Sequence, residues 1–454
     1  MVARAVQQMA VACGCVAVLA GAASAQDSNY WSTAYGTKAQ LLGGVTVGSP
    51  GDISSVYYNP GALALTQNTE LLLAGNAYQY QSVKVDGGGG PGRTLNSSSI
   101  VTVPSLFAGE VPLLKHDRLA YALLTRRAMD MTIDSRATVG TEPLAPIASP
   151  VFAAAEVQLK QNFSEGWYGM TWAHALSPTL GLGVSPFVVV RSQRTRAAVL
   201  REGENVGGAA AILTSSREFD YMHWSVLARI GLSGARDSLT YGMTVTTPNL
   251  GLFGGGNTNY NTTLIDQTGA IGNILGADYE QDLDADYRTP VGAAAGASYG
   301  FGPTRLHATV DWNGAVGRYT VLEIPEFVVH VPSGDSTVKV VIDEHLNAVL
   351  NWGVGLEHRF GETVTGYASY HTDFSGRVKG EAPGASLTRW NLNDVAAGAT
   401  WHVFRSDLAL GLTTAFGSQP TPAPPPPVSG GPPAGALQTH EMFVTVTLGW
   451  KLAF

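Results

Sequence analysis

Large apolar residues alternate with polar or small ones over long stretches of this chain, and the C-terminal stretch shows the pattern most simply. Its apolar positions are Val444, Val446, Leu448, Trp450, Leu452 and Phe454, and the residues between them are Thr445, Thr447, Gly449, Lys451 and Ala453. A period of two over this length predicts a β-strand with one apolar and one polar face. An edge strand of a soluble sandwich would give the same local pattern, so the other strands must decide between the two.

The same alternation recurs near residues 222–232, 306–312 and 346–360. In the last of these regions the polar face carries Glu357 and Arg359. Burying both charges in a sandwich would be costly, whereas the polar lumen of a membrane barrel tolerates them. Between 386 and 404 the parity of the alternation changes, from Trp390 and Leu392 to Val395, Ala397, Ala399 and Trp401. This change predicts a β-bulge near Asn393-Asp394.

Short turns and long connections rich in Gly, Pro or Ser follow one another in strict alternation. The short turns lie at 114–117, 177–178, 235–238, 302–304, 361–363 and 405–407. The long connections are 87–97, 131–154, 195–216, 253–281, 323–343, 376–386 and the proline-rich 417–440. Outer-membrane barrels show this alternation because their periplasmic turns are tight and their external loops are long.

Fourteen strands follow from these breaks, an even number that can close an antiparallel barrel. They are predicted at 69–86, 98–113, 118–132, 155–176, 179–194, 217–234, 238–252, 282–301, 305–322, 343–360, 363–375, 387–404, 407–416 and 441–454. A closed sheet leaves no open edge in a bilayer. The predicted fold class is therefore all-β, with a 14-stranded antiparallel transmembrane β-barrel over residues 69–454.

The composition fits a surface that does not wholly face water. Charged residues make up 14% of the chain, against roughly 25% in typical soluble domains. The net charge of −8 and the lack of a basic stripe argue against a nucleic-acid partner. Beyond the first 25 residues, no run reaches the ~18 consecutive apolar residues that a spanning helix needs. A membrane would therefore have to be crossed by strands.

Residues 1–25 have the features of a secretory signal peptide. One arginine precedes a short apolar run that ends in Ala23-Ser24-Ala25, which predicts cleavage before Gln26. A lipid anchor on Cys13 or Cys15 is the alternative, but neither cysteine follows a leucine-led box of small residues. Cleavage would remove both cysteines, and with them any disulfide or cysteine metal site. An exported protein without cysteine suits a bacterial envelope.

Residues 26–68 precede the first predicted strand and do not alternate. They contain Gly43-Gly44 and the stretch DISSVYYNPGALAL at 52–65, in which two tyrosines stand directly before a strong chain breaker. The segment is too short for a stable separate domain and too apolar for a tail. We therefore predict a plug, or hatch, folded inside the barrel, with Tyr57 and Tyr58 packed against the barrel interior.

This stretch resembles the N-terminal hatch signature of the FadL-type long-chain fatty-acid transporter family, which includes the TodX-like aromatic-hydrocarbon channels. The matching positions are Asp52, Ser54-Ser55, Tyr57, Tyr58, Asn59 and Pro60. The strand number, VPSLF at 103–107 and the aromatic C-terminus also agree with the family, so the resemblance extends over residues 26–454. The chain departs from the pattern at Gly61-Ala62, where the family has Ala-Gly, so a contact made by that alanine's methyl group is not carried over.

The resemblance implies capture of an amphipathic ligand near the external loops, transfer to an apolar pocket and movement of the hatch, without a cofactor. In the family the exit runs sideways through the wall near the third strand, here 118–132. Arg126 and Arg127 interrupt the apolar run of that strand and are the candidates for a kink. The last strand, ending at Phe454, is expected to be recognised by the barrel-assembly machinery.

Three arginines, Arg191, Arg229 and Arg359, fall on polar faces and are predicted to point into the lumen. They could neutralise inward-facing acids, namely Asp311, Glu357 or Asp373. Alternatively, Arg191 or Arg229 could hold the carboxylate of a ligand, because guanidinium groups pair well with carboxylates.

Other chemical motifs are weak. Ser298 stands in a G-x-S-x-G sequence, but this lies within a predicted strand and not on a strand-to-helix turn. Asp282, Asp284 and Asp286 resemble the start of a calcium loop that lacks its glycine and terminal glutamate. The ten histidines show no metal-ligand spacing. We predict no enzyme activity, no cofactor and no metal site.

The sequence favours an outer-membrane channel for passive uptake of hydrophobic or amphipathic small molecules such as long-chain fatty acids. Its expected partners are that ligand and the lipid of the bacterial outer membrane. A lateral exit would keep an apolar chain out of water. A barrel whose long external loops serve adhesion or surface recognition is the alternative, and an outer-membrane lipid enzyme is a third possibility that the weak motifs disfavour.

Overall fold

The computed structural model describes residues 28–66, 68–86, 94–111, 117–138, 150–377, 390–421 and 437–454. The predicted signal peptide lies outside these residues. So do parts of the predicted turn at 114–117 and of the long connections at 87–97, 131–154, 376–386 and 417–440. In the described residues, no helix has the length and apolar character to cross a membrane.

Three short helices precede a series of twenty strands in the described residues. The helices are α1 (Thr37–Leu41), α2 (Ser55–Tyr58) and α3 (Pro60–Leu63). The strands are β1 (Glu70–Asp86), β2 (Leu95–Val111), β3 (Asp117–Thr138), β4 (Pro150–Ser177), β5 (Leu180–Asn205), β6 (Ala210–Arg236), β7 (Leu239–Thr246), β8 (Leu250–Asp266), β9 (Ile274–Asp284), β10 (Gly292–Phe301), β11 (Thr304–Asn313), β12 (Val316–Leu322), β13 (Phe327–Val331), β14 (Gly334–Val338), β15 (Ile342–Leu346), β16 (Val349–Phe360), β17 (Val364–Asp373), β18 (Leu392–Val403), β19 (Ser406–Thr421) and β20 (Leu437–Ala453).

The strands close into a ring. β1 pairs antiparallel with β2 on one side and with β20 on the other, from Glu70 opposite Ala453 to Asp86 opposite Gln438. Two consecutive strands share one position in the wall in four places: β7 with β8, β9 with β10, β11 with β12, and β15 with β16. The β13–β14 hairpin pairs with the start of β9 and takes no separate position in the ring. Counted in this way the ring has 14 positions, and the predicted 14-stranded antiparallel barrel is confirmed.

The apolar face of the wall points outward, which is the arrangement of a membrane barrel and the reverse of a soluble protein. On β16, Leu350, Trp352, Val354 and Leu356 are exposed, while Asn351 between them is fully buried. On β11, Leu306 and Trp312 are exposed and His307 is buried, and on β20, Leu448 is exposed and Thr447 is buried, as the alternation predicts. Leu346 is an exception, because it lies on β15, which packs with β12 over an internal apolar cluster.

Several predicted loops are strands. Most of 195–216 and 253–281 belongs to β5, β6, β8 and β9, and 323–343 contains the β13–β14 hairpin. These strands extend beyond the outward apolar belt, and both of their faces carry many polar residues, as in Arg194, Thr195 and Arg196. Because an alternation of apolar and polar residues appears only where one face meets lipid or a core, these stretches gave no period-two signal.

The predicted β-bulge at Asn393-Asp394 is wrong. β18 pairs with β17 and with β19 in unbroken register through this point. Trp390 and Leu392 are buried inside the ring in a cluster with Met129 and Phe443, while Val395 is exposed on the outer face. The apolar positions change from even to odd numbers because Trp390 and Leu392 face an apolar part of the lumen, whereas Val395 faces outward.

Candidate functional site

Residues 28–66, which we call the N-terminal segment, lie inside the ring of strands. Helix α1 packs against β17, β18, β19 and β20, whereas α3 packs against β4, β5, β6 and β7 on the other side. The segment is anchored by buried apolar side chains, namely Leu41, Leu42, Ile53, Val56 and Leu63. It therefore crosses the lumen from one half of the wall to the other.

Asn59 explains why a chain breaker stands in the middle of the motif. Its side-chain oxygen accepts a hydrogen bond from the Gly61 N–H at 3.1 Å and so caps α3, whose first residue is Pro60. Its amide nitrogen donates to the carbonyl oxygens of Val47 at 2.9 Å and Leu232 at 3.0 Å. One buried residue thus stands at the end of α2 with its backbone, and its side chain caps α3 and ties the segment to β6.

Glycines on both sides allow α3 to touch the wall backbone. A Cβ added at Gly231 would lie 2.2 Å from Asn59 Oδ1, and one added at Gly61 would lie 2.6 Å from the carbonyl oxygens of Gly181 and Gly231. Such distances are too short for any side chain. The departure at Gly61-Ala62 therefore has a steric reason, since the first residue after Pro60 meets the wall directly.

The two tyrosines of the motif form an aromatic cluster with Tyr35 and Trp167. The ring centroid of Tyr57 lies 4.5 Å from that of Tyr35 and 5.9 Å from that of Trp167 on β4. The Tyr58 hydroxyl accepts the Tyr35 N–H at 2.9 Å. Burial raises the pKa of Tyr58 well above its ordinary value, so this hydroxyl keeps its proton. Both rings are buried and pack against each other and against Tyr35, and the Tyr57 ring also packs against Trp167.

Asp52 acts locally. Its Oδ1 accepts the Ser54 N–H at 2.8 Å, which fixes the turn that leads into α2. The next residue, Ile53, donates its N–H to Glu70 at the start of β1 at 2.8 Å, and Lys451 of β20 lies 3.0 Å from the other oxygen of that carboxylate. Through Ile53, the start of the motif is therefore joined to β1 and β20, the two strands whose pairing closes the barrel.

Tyr57 and Arg229 line a cavity, which we call the Arg229 cavity. It encloses about 700 Å³ between atoms, including open solvent at its mouth. Its charged lining residues are Arg126, Arg127, Arg229, Glu165 and Asp311, and its aromatic ones are Tyr30, Tyr57, Trp167 and Tyr287. The Arg229 guanidinium lies over the Tyr57 ring, 4.2 Å from its centroid, and its Nε has no hydrogen-bond partner among the described residues.

Arg191 stands behind this cavity with its guanidinium fully engaged. It donates to Glu165 at 3.0 Å, to the Tyr221 hydroxyl at 3.0 Å and to Gln193 at 3.1 Å. Its carbon Cζ also lies 4.3 Å from the centroid of the Tyr287 ring. The structure therefore gives Arg191 and Arg229 different surroundings: Arg191 pairs with a buried carboxylate, while Arg229 Nε is buried without a hydrogen-bond partner among the described residues.

Arg359 does not join this group. It is exposed at the end of β16, next to the turn at 361–363, whereas Arg191 and Arg229 are buried. Glu357, two residues earlier, pairs with Lys38 of α1 at 2.8 Å and with His307 of β11 at 3.2 Å. This end of β16 fastens the N-terminal segment to the wall, and it is separate from the Arg229 cavity.

The wall is split beside Arg126 and Arg127. β2 and β3 are paired only from Leu106 opposite Leu124 to Val111 opposite Leu119. Beyond that point β2 continues along β1 and β3 along β4, with a register shift between Thr125 and Arg127. The side chain of Arg126 turns inward and donates to the Tyr30 carbonyl, and Arg127 Nη1 donates to the Asn29 carbonyl at 3.3 Å.

The remaining sequence motifs have ordinary surroundings. Ser298 is buried within β10, where its hydroxyl lies 2.6 Å from Thr240 Oγ1 and accepts from Arg305 at 3.2 Å. Asp282 and Asp284 are exposed, and Asp286 pairs with Arg288 at 2.8 Å. Among the described residues, no three His, Cys, Asp or Glu side chains are grouped so that they could hold a metal ion.

A second cavity, which we call the Asp394 cavity, also borders the N-terminal segment and shares Arg127 with the first cavity. Two connected parts share Ser32, Thr33, Gln79, Asp394, Thr413 and Thr445. Its wall comes mainly from β1, β18, β19 and β20. Sequence reasoning missed this cavity and also missed Glu165, Trp167 and Tyr287 of the first one. An acidic residue at an inward-facing position of a predicted strand, such as Glu165 or Asp394, is the sequence feature that could have pointed to both cavities.

Comparison with known proteins gives a likeness of fold. No protein-family model matches the sequence, and no curated protein matches it. The solved structure of a FadL homologue of Pseudomonas aeruginosa is 13% identical, with 94% of this chain and 100% of that chain covered and a TM-score of 0.57.

Two toluene transporters are similar to the same extent. TbuX of Ralstonia pickettii is 10% identical, with 93% of this chain and 98% of that chain covered and a TM-score of 0.56. TodX of P. putida is 12% identical, with 93% and 99% covered and a TM-score of 0.55. At such identities the likeness establishes the fold, and at that level it confirms the resemblance noticed in the hatch signature.

Proposed function

We propose that this chain is an outer-membrane channel for the passive uptake of hydrophobic or amphipathic small molecules, and that residues 26–68 are its hatch. The fold shared with a FadL homologue and two toluene transporters supports the general class. The Arg229 cavity is the observation that carries the proposal, because it combines aromatic walls with one arginine donor that no described residue uses.

The geometry of this cavity suits a ligand with an apolar body and an anionic head. Tyr57 and Trp167 offer flat apolar surfaces, and Arg229 offers a charge-assisted hydrogen bond. Asp311 lines the same cavity and balances Arg229 when no ligand is present. A fatty acid or an aromatic carboxylic acid has the required chemistry, and its carboxylate would supply the acceptor that Arg229 Nε lacks.

The N-terminal segment forms the floor beneath this ligand. The Tyr57 ring packs against the Arg229 guanidinium, and Asn59 and Gly61 join the segment to β5 and β6. A ligand that moves Arg229 would disturb Tyr57, and through it the contacts of α2 and α3. We propose that this displacement opens the route, with Pro60 fixing the hinge.

The proposed exit is sideways, through the split between β2 and β3. Over residues 95–105, β2 has its backbone pairing with β1 only, and Ile100 and Tyr80 stand opposite each other on the outer face at this level. The Ser99 hydroxyl donates to the Asp130 carbonyl at 3.0 Å across the split. A side exit would deliver an apolar ligand to lipid without passing it through water.

Uptake into vesicles that contain the purified barrel tests this proposal. Arg229→Gln should slow uptake of a labelled carboxylate such as oleate about tenfold, the equivalent of one charge-assisted hydrogen bond, with little change for a neutral alkylbenzene. Arg359→Gln is the matched control, because Arg359 is exposed and outside the cavity. Equal uptake by the wild type, Arg229→Gln and protein-free vesicles would refute the proposal.

A further inference from the structure

The Asp394 cavity differs from the Arg229 cavity in the polar atoms that face it. Five buried side-chain oxygens in its lining have no hydrogen-bond partner among the described residues: Ser32 Oγ, Gln40 Oε1, Gln81 Oε1, Asp394 Oδ2 and Thr447 Oγ1. Buried polar atoms in native proteins nearly always have a partner. A group of this size in one cavity therefore indicates a polar occupant.

These atoms are mainly acceptors. The oxygens of Gln40, Gln81 and Asp394 can only accept, except where the acid is protonated, and the hydroxyls of Ser32 and Thr447 can accept as well as donate. The amide nitrogen of Gln40 already donates to the Ser105 hydroxyl at 2.8 Å, so the oxygen is the side-chain atom without a partner among the described residues. The occupant that complements this lining is rich in donors.

Asp394 is the acid that both parts of the cavity share, and no described residue donates a hydrogen bond to its Oδ2. Its side chain is 6% exposed, and its Oδ2 lies 3.6 Å from His371 Nε2. That ring nitrogen lies 3.3 Å from the Trp31 carbonyl, an acceptor, so it carries the proton and donates there. Asp373 accepts the N–H groups of Tyr30 and Trp31 with its Oδ1, both at 3.0 Å, and lends no positive charge.

One arginine, Arg127, lines the same part of the cavity as Gln81. Its Nη1 donates to the Asn29 carbonyl, and its Cζ lies 5.7 Å from the centroid of the Phe163 ring. The part of the cavity that holds Gln40, His371 and Thr447 does not include this arginine. A cationic group would therefore bind best in that second part, next to Asp394.

The first part of the cavity also has an apolar side. Met129, Leu392, Ala415 and Phe443 line it and belong to a buried apolar cluster. Asp394 lines both parts, so the carboxylate stands between the apolar side and the group of oxygens. A ligand with a charged head and a short apolar body would match both.

We propose that the Asp394 cavity binds the primary ammonium group of a small amphipathic amine, with the apolar body of the amine against Met129, Leu392 and Phe443. A primary ammonium group has three N–H donors and no acceptor, which complements Asp394, Gln40 and Thr447. Room for several water-sized molecules in the two parts accommodates a head group and a short chain. The site is independent of the carboxylate ligand proposed for the Arg229 cavity.

The test uses saturation-transfer difference NMR on the full-length barrel in detergent, with 2-phenylethylammonium and phenylacetate as probes. The two probes share the aromatic body and differ in the sign of the charge. Asp394→Asn should weaken binding of the amine at least tenfold and leave phenylacetate unchanged. Thr447→Val, which removes one acceptor and keeps the shape, should weaken the amine roughly threefold. Asp335→Asn on the exposed β13–β14 hairpin is the control for charge.

Two results would overturn the inference. One is amine binding that is equal in the wild type, Asp394→Asn and Thr447→Val; the other is no amine binding by the wild type at any concentration up to tens of millimolar. If Asp394→Asn fails to fold, the Thr447→Val arm alone decides. Loss of phenylacetate binding in Arg229→Gln with the amine unaffected would support the Arg229 cavity separately, so the two proposals can fail independently.

Discussion

The two cavities border one N-terminal segment and differ in the charged groups of their linings, although Arg127 belongs to both. The Arg229 cavity has two further arginines, Arg126 and Arg229, together with Glu165, Asp311 and several aromatic rings. Among its described lining residues, the Asp394 cavity has Asp394 as its one acid, surrounded mainly by hydroxyls and amides. The difference shows that the lumen of this barrel is not one polar interior, because the segment divides it into two sites with different chemistry.

The largest expected effect comes from Arg191, whose neutralising contact has no counterpart in the Asp394 cavity. Arg191→Met leaves the Glu165 carboxylate buried without its ion-pair partner and should lower the free energy of unfolding by about 3 kcal/mol. Urea unfolding of the barrel in lipid vesicles measures this. The double variant Glu165→Gln/Arg191→Met should recover most of the loss, and an unchanged midpoint in the single variant would contradict the role assigned to Arg191.

A smaller effect is expected where the segment touches the wall at Gly231. Gly231→Val places a side chain onto Asn59 and should cost about 1–3 kcal/mol, as overpacked cores do. The displaced segment should then be cut by added protease within residues 28–66. Gly317→Val is the matched control, since no atom lies within 4 Å of the position its Cβ would occupy. Equal protease resistance of both variants would show that the contact does not hold the segment.

Asn59→Ala should have a weaker effect on the same contact. It removes the cap of α3 and the donor to Leu232, for which we expect a loss of about 1 kcal/mol. Hydrogen exchange of the segment's backbone amides should increase near α3 and remain slow near α1, because α1 packs against the other half of the wall. A uniform increase along residues 28–66 would mean that the segment moves as one unit.

The smallest effect is expected at Asp394. Asp394→Asn replaces a buried carboxyl group whose Oδ2 has no hydrogen-bond partner among the described residues by an amide of the same shape, so the free energy of unfolding should change by less than about 1 kcal/mol. The same urea assay compares this variant with Arg191→Met. A loss as large as that of Arg191→Met would show that Asp394 is a structural ion-pair partner and would remove the contrast between the two cavities.

Much of the wall could be predicted because lipid imposes a period of two. The parity of 444–454 and the inward position of His223, Arg229 and His307 all follow from that one constraint. The prediction failed where lipid no longer acts: at Trp390 and Leu392, which face an apolar lumen, and over 253–281, which extends as strands with polar residues on both faces.

The candidate site was less accessible from sequence. Arg229 could be named from its parity, but its ring contact with Tyr57 joins residues 172 positions apart, and no local pattern records such a contact. Arg191 had the same parity, yet its pairing with Glu165 depends on the register of β4 against β5. The Asp394 cavity exists only because the segment leaves space beside β1 and β18, which depends on how α1 and α3 are seated.

Uptake by cells with and without this gene tests the central claim most directly. The probes would be a labelled long-chain fatty acid and a labelled alkylbenzene, supplied at equal external concentration. We expect cells that carry the gene to take up at least one of them faster, and cells with Arg229→Gln to lose the advantage for the fatty acid while keeping any advantage for the alkylbenzene. Equal uptake of both probes with and without the gene would contradict the channel function.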